Sequence, residues 1–308
     1  MSVRSFPSKL VAVAAVFVLA GLVLATLAWP RGSGDAAPRP LVRADPSTAP
    51  FQGLGVWVDI YDEPAWADPA AAAADMSAHG VRTLYLQSSN AARSSAFVFP
   101  EATAAFLDAA HDEGMRVVAL YLPHLTDLVE DRARVRDVLA YTTPRGDRFD
   151  GFALDIESEA VHDPERRTER LVRLSSELRA EAGDRYPLGA IVPSPLRLRD
   201  DLAYWPGFPW HELALNYDAI LPMTYFTFRA HGPAETIDYV TGCIDEIRDR
   251  VGSDQVPIHV IGGLARDESA SEALAFSRAV REGGVIGASA YTWPYVTDDQ
   301  WSALQRIG

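Results

Sequence analysis

The chain has 308 residues, 48% of them hydrophobic and 23% charged, with 21 Gly and 21 Pro. This composition suits a large globular domain and excludes collagen, coiled coil, wholesale disorder and a polytopic membrane protein. A formal charge of -14, from 42 acidic against 28 basic residues, removes nucleic acid from the expected partners, because that binding rests on cationic neutralisation of phosphates.

In chain order, residues 1–9 carry Arg4 and Lys9 ahead of an unbroken apolar run over 10–29, LVAVAAVFVLAGLVLATLAW. Its span equals the roughly 20 residues that cross a bilayer as a helix. That length favours a retained transmembrane anchor over a cleaved signal peptide, for which Val23-Leu24-Ala25 is only a weak cleavage site. Either reading exports the remainder of the chain and leaves the basic end in the cytoplasm. The expected location is therefore the cell membrane, single-pass with the main domain outside, or the exterior if the segment is removed. Residues 30–50 are rich in Pro, Gly, Ala and Ser with few large apolar side chains and read as a disordered linker.

From 51 to 308 short β-rich runs alternate with longer helical patterns, the mark of repeated βα units around a parallel sheet. The runs are GLGVWVDIY (53–61), VRTLYLQS (81–88), RVVALYLP (116–123), FDGFALDIES (149–158), YPLGAIVPS (186–194), YDAILPMTYF (217–226), PIHVIGGLA (257–265) and GVIGASAYTW (284–293). Most intervening helical patterns end in Gly just before the next run, as a helix C′ residue should. Eight units predict an α/β fold of the (β/α)8 TIM-barrel type. An open doubly wound sheet is the alternative, and no G-x-G-x-x-G follows the first run to support it.

In a barrel the chemistry gathers where strands end and βα loops begin. The fourth run reads Asp150-Gly151-Phe152-Ala153-Leu154-Asp155-Ile156-Glu157. Side chains alternate along a strand, so Ala153, Asp155 and Glu157 share one face and Phe152, Leu154 and Ile156 the other. The apolar face must meet the helices, which aims both carboxylates into the barrel mouth. Two acids held this close in a concave site repel, and desolvation adds to the effect, so one is expected to stay protonated at working pH as a general acid requires. By the same alternation Met223 and Tyr225 share a face on the sixth run, Tyr291 and Trp293 on the eighth, and Trp57, Asp59 and Tyr61 on the first. Aromatics beneath a carboxylate pair suit a sugar ring, whose C–H faces stack on indole. Gln87, near the end of the second run, joins Trp57, Asp59, Met223, Tyr291 and Trp293 as a candidate binding residue. The segment AYWPGFPWHELALNYD, with Trp205, Phe208 and Trp210, is either a groove lining or a packed loop.

These residues resemble family 18 of the glycoside hydrolases, the chitinase and endo-β-N-acetylglucosaminidase group. Asp150-Gly151-x-x-x-Asp155-x-Glu157 is similar to that family's D-G-x-D-x-D-x-E on strand four, Met223-x-Tyr225 to its M-x-Y on strand six, and Trp293 to its strand-eight tryptophan. The resemblance implies that Glu157 protonates the glycosidic oxygen, that Asp155 orients the substrate acetamido group and that Tyr225 hydrogen-bonds to it. It also implies a substrate-assisted reaction, in which the substrate's own carbonyl oxygen is the nucleophile. Two positions depart from the pattern. Ala153 stands in place of the middle acid and removes a charge beneath Asp155, while Phe226 replaces the Asp that commonly follows the tyrosine and removes a polar contact near the acetamido position.

The expected activity is hydrolysis of a glycan, by a substrate-assisted route or by a conventional pair in which Asp59 or Asp155 is the second carboxylate to Glu157. The alternative is a non-catalytic carbohydrate-binding protein of the cell envelope on a hydrolase-like barrel. Cys243 is the only cysteine, which excludes an intramolecular disulfide and a Cys-ligated cluster. The seven histidines show no metal-ligand spacing such as H-E-x-x-H, and neither a Walker loop nor G-x-S-x-G occurs. No metal or cofactor is expected, and the partners are a glycan and, through the N-terminal segment, a membrane, with the chain acting as a monomer.

Overall fold

The computed structural model describes residues 47–307, so the apolar run 10–29 and most of the 30–50 segment lie outside the described residues. Among the described residues no helix is long and apolar enough to cross a membrane. A 3-10 turn at Ala49–Phe51 leads into β1 (Gly53–Val58), α1 (Glu63–Ala67), α2 (Pro69–Ala78), β2 (Thr83–Asn90), α3 (Pro100–Asp112), β3 (Arg116–Leu122), α4 (Leu128–Ala140), β4 (Gly151–Asp155) and α5 (Pro164–Ala182). Then come β5 (Leu188–Val192), α6 (Pro195–Asp200), α7 (Trp210–Asn216), β6 (Ala219–Pro222), α8 (Pro233–Val251), β7 (His259–Leu264), α9 (Ala270–Glu282), β8 (Gly287–Tyr291) and α10 (Asp298–Leu304).

All eight strands are parallel, in the order β6-β5-β4-β3-β2-β1-β8-β7. Parallel bridges Ile220–Ile258 and Met223–Ile261 join the two ends of that order. The circuit closes, and the fold is the eight-stranded parallel barrel that the alternating pattern predicts.

Strand periodicity splits the core in two. Trp57, Val118, Leu120, Ala153, Ile191 and Leu221 pack inside the barrel. Their neighbours in sequence, among them Val56, Val117, Ala119, Phe152, Leu154 and Ile220, pack outward under the helices. The helices present matching stripes, such as Leu171, Leu174 and Leu178 on α5. Each such side chain contributes about 1.5–3 kcal/mol on burial. Asp163 caps α5 through the N–H groups of Glu165 and Arg166, and Ser269 and Glu272 form a capping box on α9. The glycines read as helix ends do that work: Gly80, Gly114, Gly183, Gly252 and Gly284 all have φ between 61° and 81°.

The bottom of the barrel is plugged by Phe51, which is fully buried in the inner core. Ordered contacts begin earlier than residue 51, since the Ser47 N–H donates to Asp218 Oδ1 at 3.3 Å and Pro50 is buried. Asp150, read with the strand-four motif, also sits at this end. Its Oδ2 accepts from the Val117 N–H at 2.8 Å and meets His111 Nε2 at 2.9 Å. Asp150 therefore fixes the entry of β4 and takes no part in the mouth.

Candidate active site

Three hollows adjoin across the C-terminal mouth. The central one, about 240 Å³, is shared by the ends of β1, β2, β4, β6 and β8. It borders a hollow of about 370 Å³ through Glu157, Met223 and Tyr225, and one of about 190 Å³ through Asp59, Tyr61 and Tyr291. Together they make a groove across the barrel top. The central hollow brings Asp155, Glu157, Tyr225, Met223, Trp57, Asp59, Gln87 and Tyr291 together.

Asp155 is the last residue of β4 and is 8% exposed. Below it on the same face, fully buried Ala153 offers only a methyl group. Asp155 Oδ1 is buried with no hydrogen-bond partner among the described residues. Burial first, and the neighbouring Glu157 charge second, push the Asp155 carboxyl well above the usual carboxylate range. Glu157 lies two residues beyond the strand and is exposed overall, and it lines both the central hollow and its neighbour. Desolvation there raises its pKa, and the nearby Arg197 guanidinium opposes the rise. The pair can thus share a proton at a pH where free carboxyls are ionised.

Tyr225 lies three residues beyond β6, just before the 3-10 turn Phe226–Phe228, in a left-handed conformation, φ 30°. For a residue with a bulky side chain this is strained backbone, of about 1–3 kcal/mol, held by surrounding structure. Its ring faces Tyr291, with centroids 5.4 Å apart. Burial, then the charges of Asp155, Glu157 and Asp59, keep its phenol protonated, so it is a hydrogen-bond donor to anything in the hollow. Trp57 forms the floor, 3% exposed and stacked on Tyr85 at 4.4 Å, with its indole N–H donating to Ser289 Oγ at 2.7 Å. Gln87 is buried and uses Oε1 to accept from the Ile60 N–H at 3.1 Å.

Trp293 is a correction. β8 ends at Tyr291 and a 3-10 turn begins at Trp293, so the two-residue alternation that would put both side chains on one face stops between them. The Trp293 indole N–H donates to Asp75 Oδ2 on α2 at 2.8 Å, and the ring packs against the outer core. Phe226 is corrected in the same way. It is fully buried in the outer core, 5.6 Å from the Phe276 ring, and changes nothing at the mouth. Trp205, Phe208 and Trp210 pack edge-on in that core, so these three aromatics do not line the groove, and the second half of the segment before β6 is helix α7; only Tyr204 of that segment reaches a groove hollow.

Strand alternation alone misses Arg197, Tyr204 and Phe228. Arg197 on α6 lies over the Tyr204 ring at 3.7 Å, and the Tyr204 hydroxyl donates to the Glu157 carbonyl at 3.3 Å. Phe228, just past the sixth strand, lines one arm of the groove, opposite the arm lined by Tyr61; the two are 64% and 73% exposed. Following the sixth strand end through the next turn of chain, instead of stopping at the strand, would have found Phe228. Among the described residues no group of three or more His, Cys, Asp or Glu side chains is gathered as a metal site.

No family profile matches the chain, and no curated protein matches it. Solved structures do. The spore cortex-lytic enzyme SleL of Bacillus cereus superposes with a TM-score of 0.64 at 12% identity, covering 83% of this chain and 74% of that one. A family 18 chitinase from Cycas revoluta in complex with (GlcNAc)4 gives 0.60 at 12% identity, covering 82% and 98%. The endo-β-1,4-mannanase of Thermotoga petrophila gives 0.63 at 10%, covering 85% and 77%. The barrel is thus of the kind found in family 18 chitinases and in other glycoside hydrolases.

Proposed function

We propose that the chain is an exported glycoside hydrolase in which Glu157 is the general acid. The observation that carries this reading is the acid pair itself: Asp155 and Glu157 leave one strand together, over an apolar Ala153, at the base of a groove floored by Trp57 and walled by Tyr225 and Tyr291. A solvated surface pair would not leave Asp155 Oδ1 buried and unpartnered.

In the substrate-assisted form, Glu157 gives its proton to the glycosidic oxygen as the C1–O bond breaks. The substrate's acetamido carbonyl oxygen closes on C1 as nucleophile. Asp155 accepts from the acetamido N–H, and the Tyr225 hydroxyl donates to the carbonyl oxygen. Water then attacks C1 as the bond between C1 and the acetamido oxygen breaks, with Glu157 taking the water's proton, which restores the acetamido group and returns the enzyme to its starting state. Asp59 already accepts from Tyr291 and the Tyr61 N–H, which favours Asp155 over Asp59 as the carboxylate paired with Glu157.

Export by the 10–29 segment, with a membrane tether if it is retained, belongs to the same proposal. The test is release of reducing ends from chitin oligomers, peptidoglycan and non-acetylated glycans by the full chain in a detergent without sugar groups, beside its Glu157→Gln variant. Cleavage by the wild type alone supports the reading. Binding without cleavage by either protein would replace it with that of a carbohydrate-binding envelope protein.

A further inference from the structure

The groove arm that runs from Glu157 over α6 carries more positive charge than the proposed chemistry uses. Arg197 and Arg229 both line this hollow of about 370 Å³, whose one acidic lining residue is Glu157. Both also line the adjoining hollow of about 310 Å³, together with Asp200, which Arg199 holds, and Asp201. Among the described residues neither guanidinium makes a hydrogen bond or an ion pair. Other arginines nearby do: Arg199 holds Asp200, Arg250 holds Glu246, and Arg248 donates to the Gly283 carbonyl.

The two cations are positioned as well as unpaired. Arg197 lies over the ring of Tyr204, a buried residue tied by its hydroxyl to the Glu157 carbonyl. That stack holds the guanidinium beside the end of β4. Arg229 follows directly on the 3-10 turn Phe226–Phe228, whose exposed Phe228 ring lines the same hollow. In a chain of charge -14, two guanidiniums with no hydrogen bond or ion pair among the described residues stand beside an acid and an exposed aromatic ring, an arrangement whose chemistry suits a group both negative and ring-bound.

We propose that this arm receives a sugar carrying a carboxylate, gripped by Arg197 and Arg229, so that the substrate is an acidic glycan. The inference rests on the glycosidase reading of the same site and names its substrate class. A planar guanidinium fork matches a carboxylate in bidentate fashion, and two of them select it over the hydroxyl of a neutral sugar. Two sources share this chemistry: a carboxylate on the pyranose ring, as in a uronic acid, and one on an ether side arm, as in a 3-O-lactyl amino sugar.

Calorimetric titration of the full-chain Glu157→Gln variant tests this without turnover. The probes are two tetrasaccharides, N-acetylglucosamine alternating with N-acetylmuramic acid or with glucuronic acid, each beside its form with the carboxyl reduced to an alcohol. At least one acidic probe is expected to bind about tenfold more tightly than its reduced form, and which one identifies the source of the carboxylate. That ratio should shrink as salt rises and collapse when Arg197→Gln and Arg229→Gln are added, with Arg229→Lys restoring part of it. Equal binding of acidic and reduced probes, or a ratio that survives loss of both arginines, would overturn the inference. If the wild type then still cleaves neutral oligomers, the glycosidase reading stands alone. If no probe binds and no glycan is cleaved, both fall.

Discussion

The Tyr291 hydroxyl donates to Asp59 Oδ2 at 3.0 Å, tying the end of β8 to the end of β1 across the floor of the groove. The Asp59 carboxylate also takes the Tyr61 N–H at 2.7 Å, so it is held in one orientation. Burial, and the nearby Tyr225 and Asp59, keep the Tyr291 phenol protonated and donating. Removing that donor in Tyr291→Phe leaves a half-buried carboxylate short of one partner, at a cost of about 1–3 kcal/mol. The expected result is a fall of about tenfold or more in kcat/KM, with circular dichroism unchanged.

Activity should depend on pH through the coupled Asp155–Glu157 pair. The general acid must be protonated, so activity falls as pH rises through the raised pKa of the pair. Arg197 holds the Glu157 value down. Arg197→Gln should therefore move the basic limb of the kcat/KM profile to higher pH, measured on a neutral oligosaccharide. A shift to lower pH, or none, would contradict the placement of Arg197 beside the acid.

The acid pair is held at the expense of stability. A carboxyl whose folded pKa lies above its unfolded value destabilises the fold wherever the unfolded group is ionised. Asp155, raised from 3.8 mainly by burial, opposes folding above about pH 4 and stops doing so as pH falls below that value. Asp155→Asn should be more stable than the wild type at pH 7, by about 1–2 kcal/mol in denaturant titration, with the difference shrinking toward pH 4. Activity should fall in the same variant.

At the opposite end of the barrel the dependence reverses. His111 lies between Asp150 at 2.9 Å and Asp147 at 3.2 Å, and chiefly the Asp150 hydrogen bond raises its pKa from 6.5 to about 8. A histidine raised on folding stabilises fully below its unfolded pKa of 6.5, and loses that contribution as pH rises through 8. After solvent screening of the two carboxylates, the contribution is about 1 kcal/mol. Unfolding free energies of wild type and His111→Gln should differ most near pH 6, and converge above about pH 9.

Much of this was legible in the chain. Eight β-rich runs separated by helical patterns give the barrel because strand and helix periods differ, and the alternation through Phe152, Ala153 and Leu154 brings Asp155 to the central hollow because β4 is regular up to that residue, whereas Glu157 lines the hollow from two residues past the strand end. The same rule fails for Trp293, where the strand has already ended at Tyr291. It cannot find Arg197, whose position depends on a ring contact with Tyr204 from another segment. Asp150 belongs to the same motif as the two acids, yet it precedes β4 and lies at the opposite end of the barrel from them. Trp293→Phe tests the placement of that ring outside the groove: loss of the hydrogen bond to Asp75 should cost about 1 kcal/mol of stability, with kcat/KM within about twofold of wild type.

The central claim is that Glu157 protonates the leaving oxygen, and leaving-group dependence tests it most directly. Once a glycan substrate is known, wild type and Glu157→Gln are compared on its natural linkage and on the matching 2,4-dinitrophenyl glycoside, whose leaving group needs no proton. The expected result is a loss of about 10³-fold or more on the natural linkage, and a far smaller loss in the glycosylation step on the activated glycoside. Equal losses on both substrates, or full activity of Glu157→Gln on the natural linkage, would contradict it.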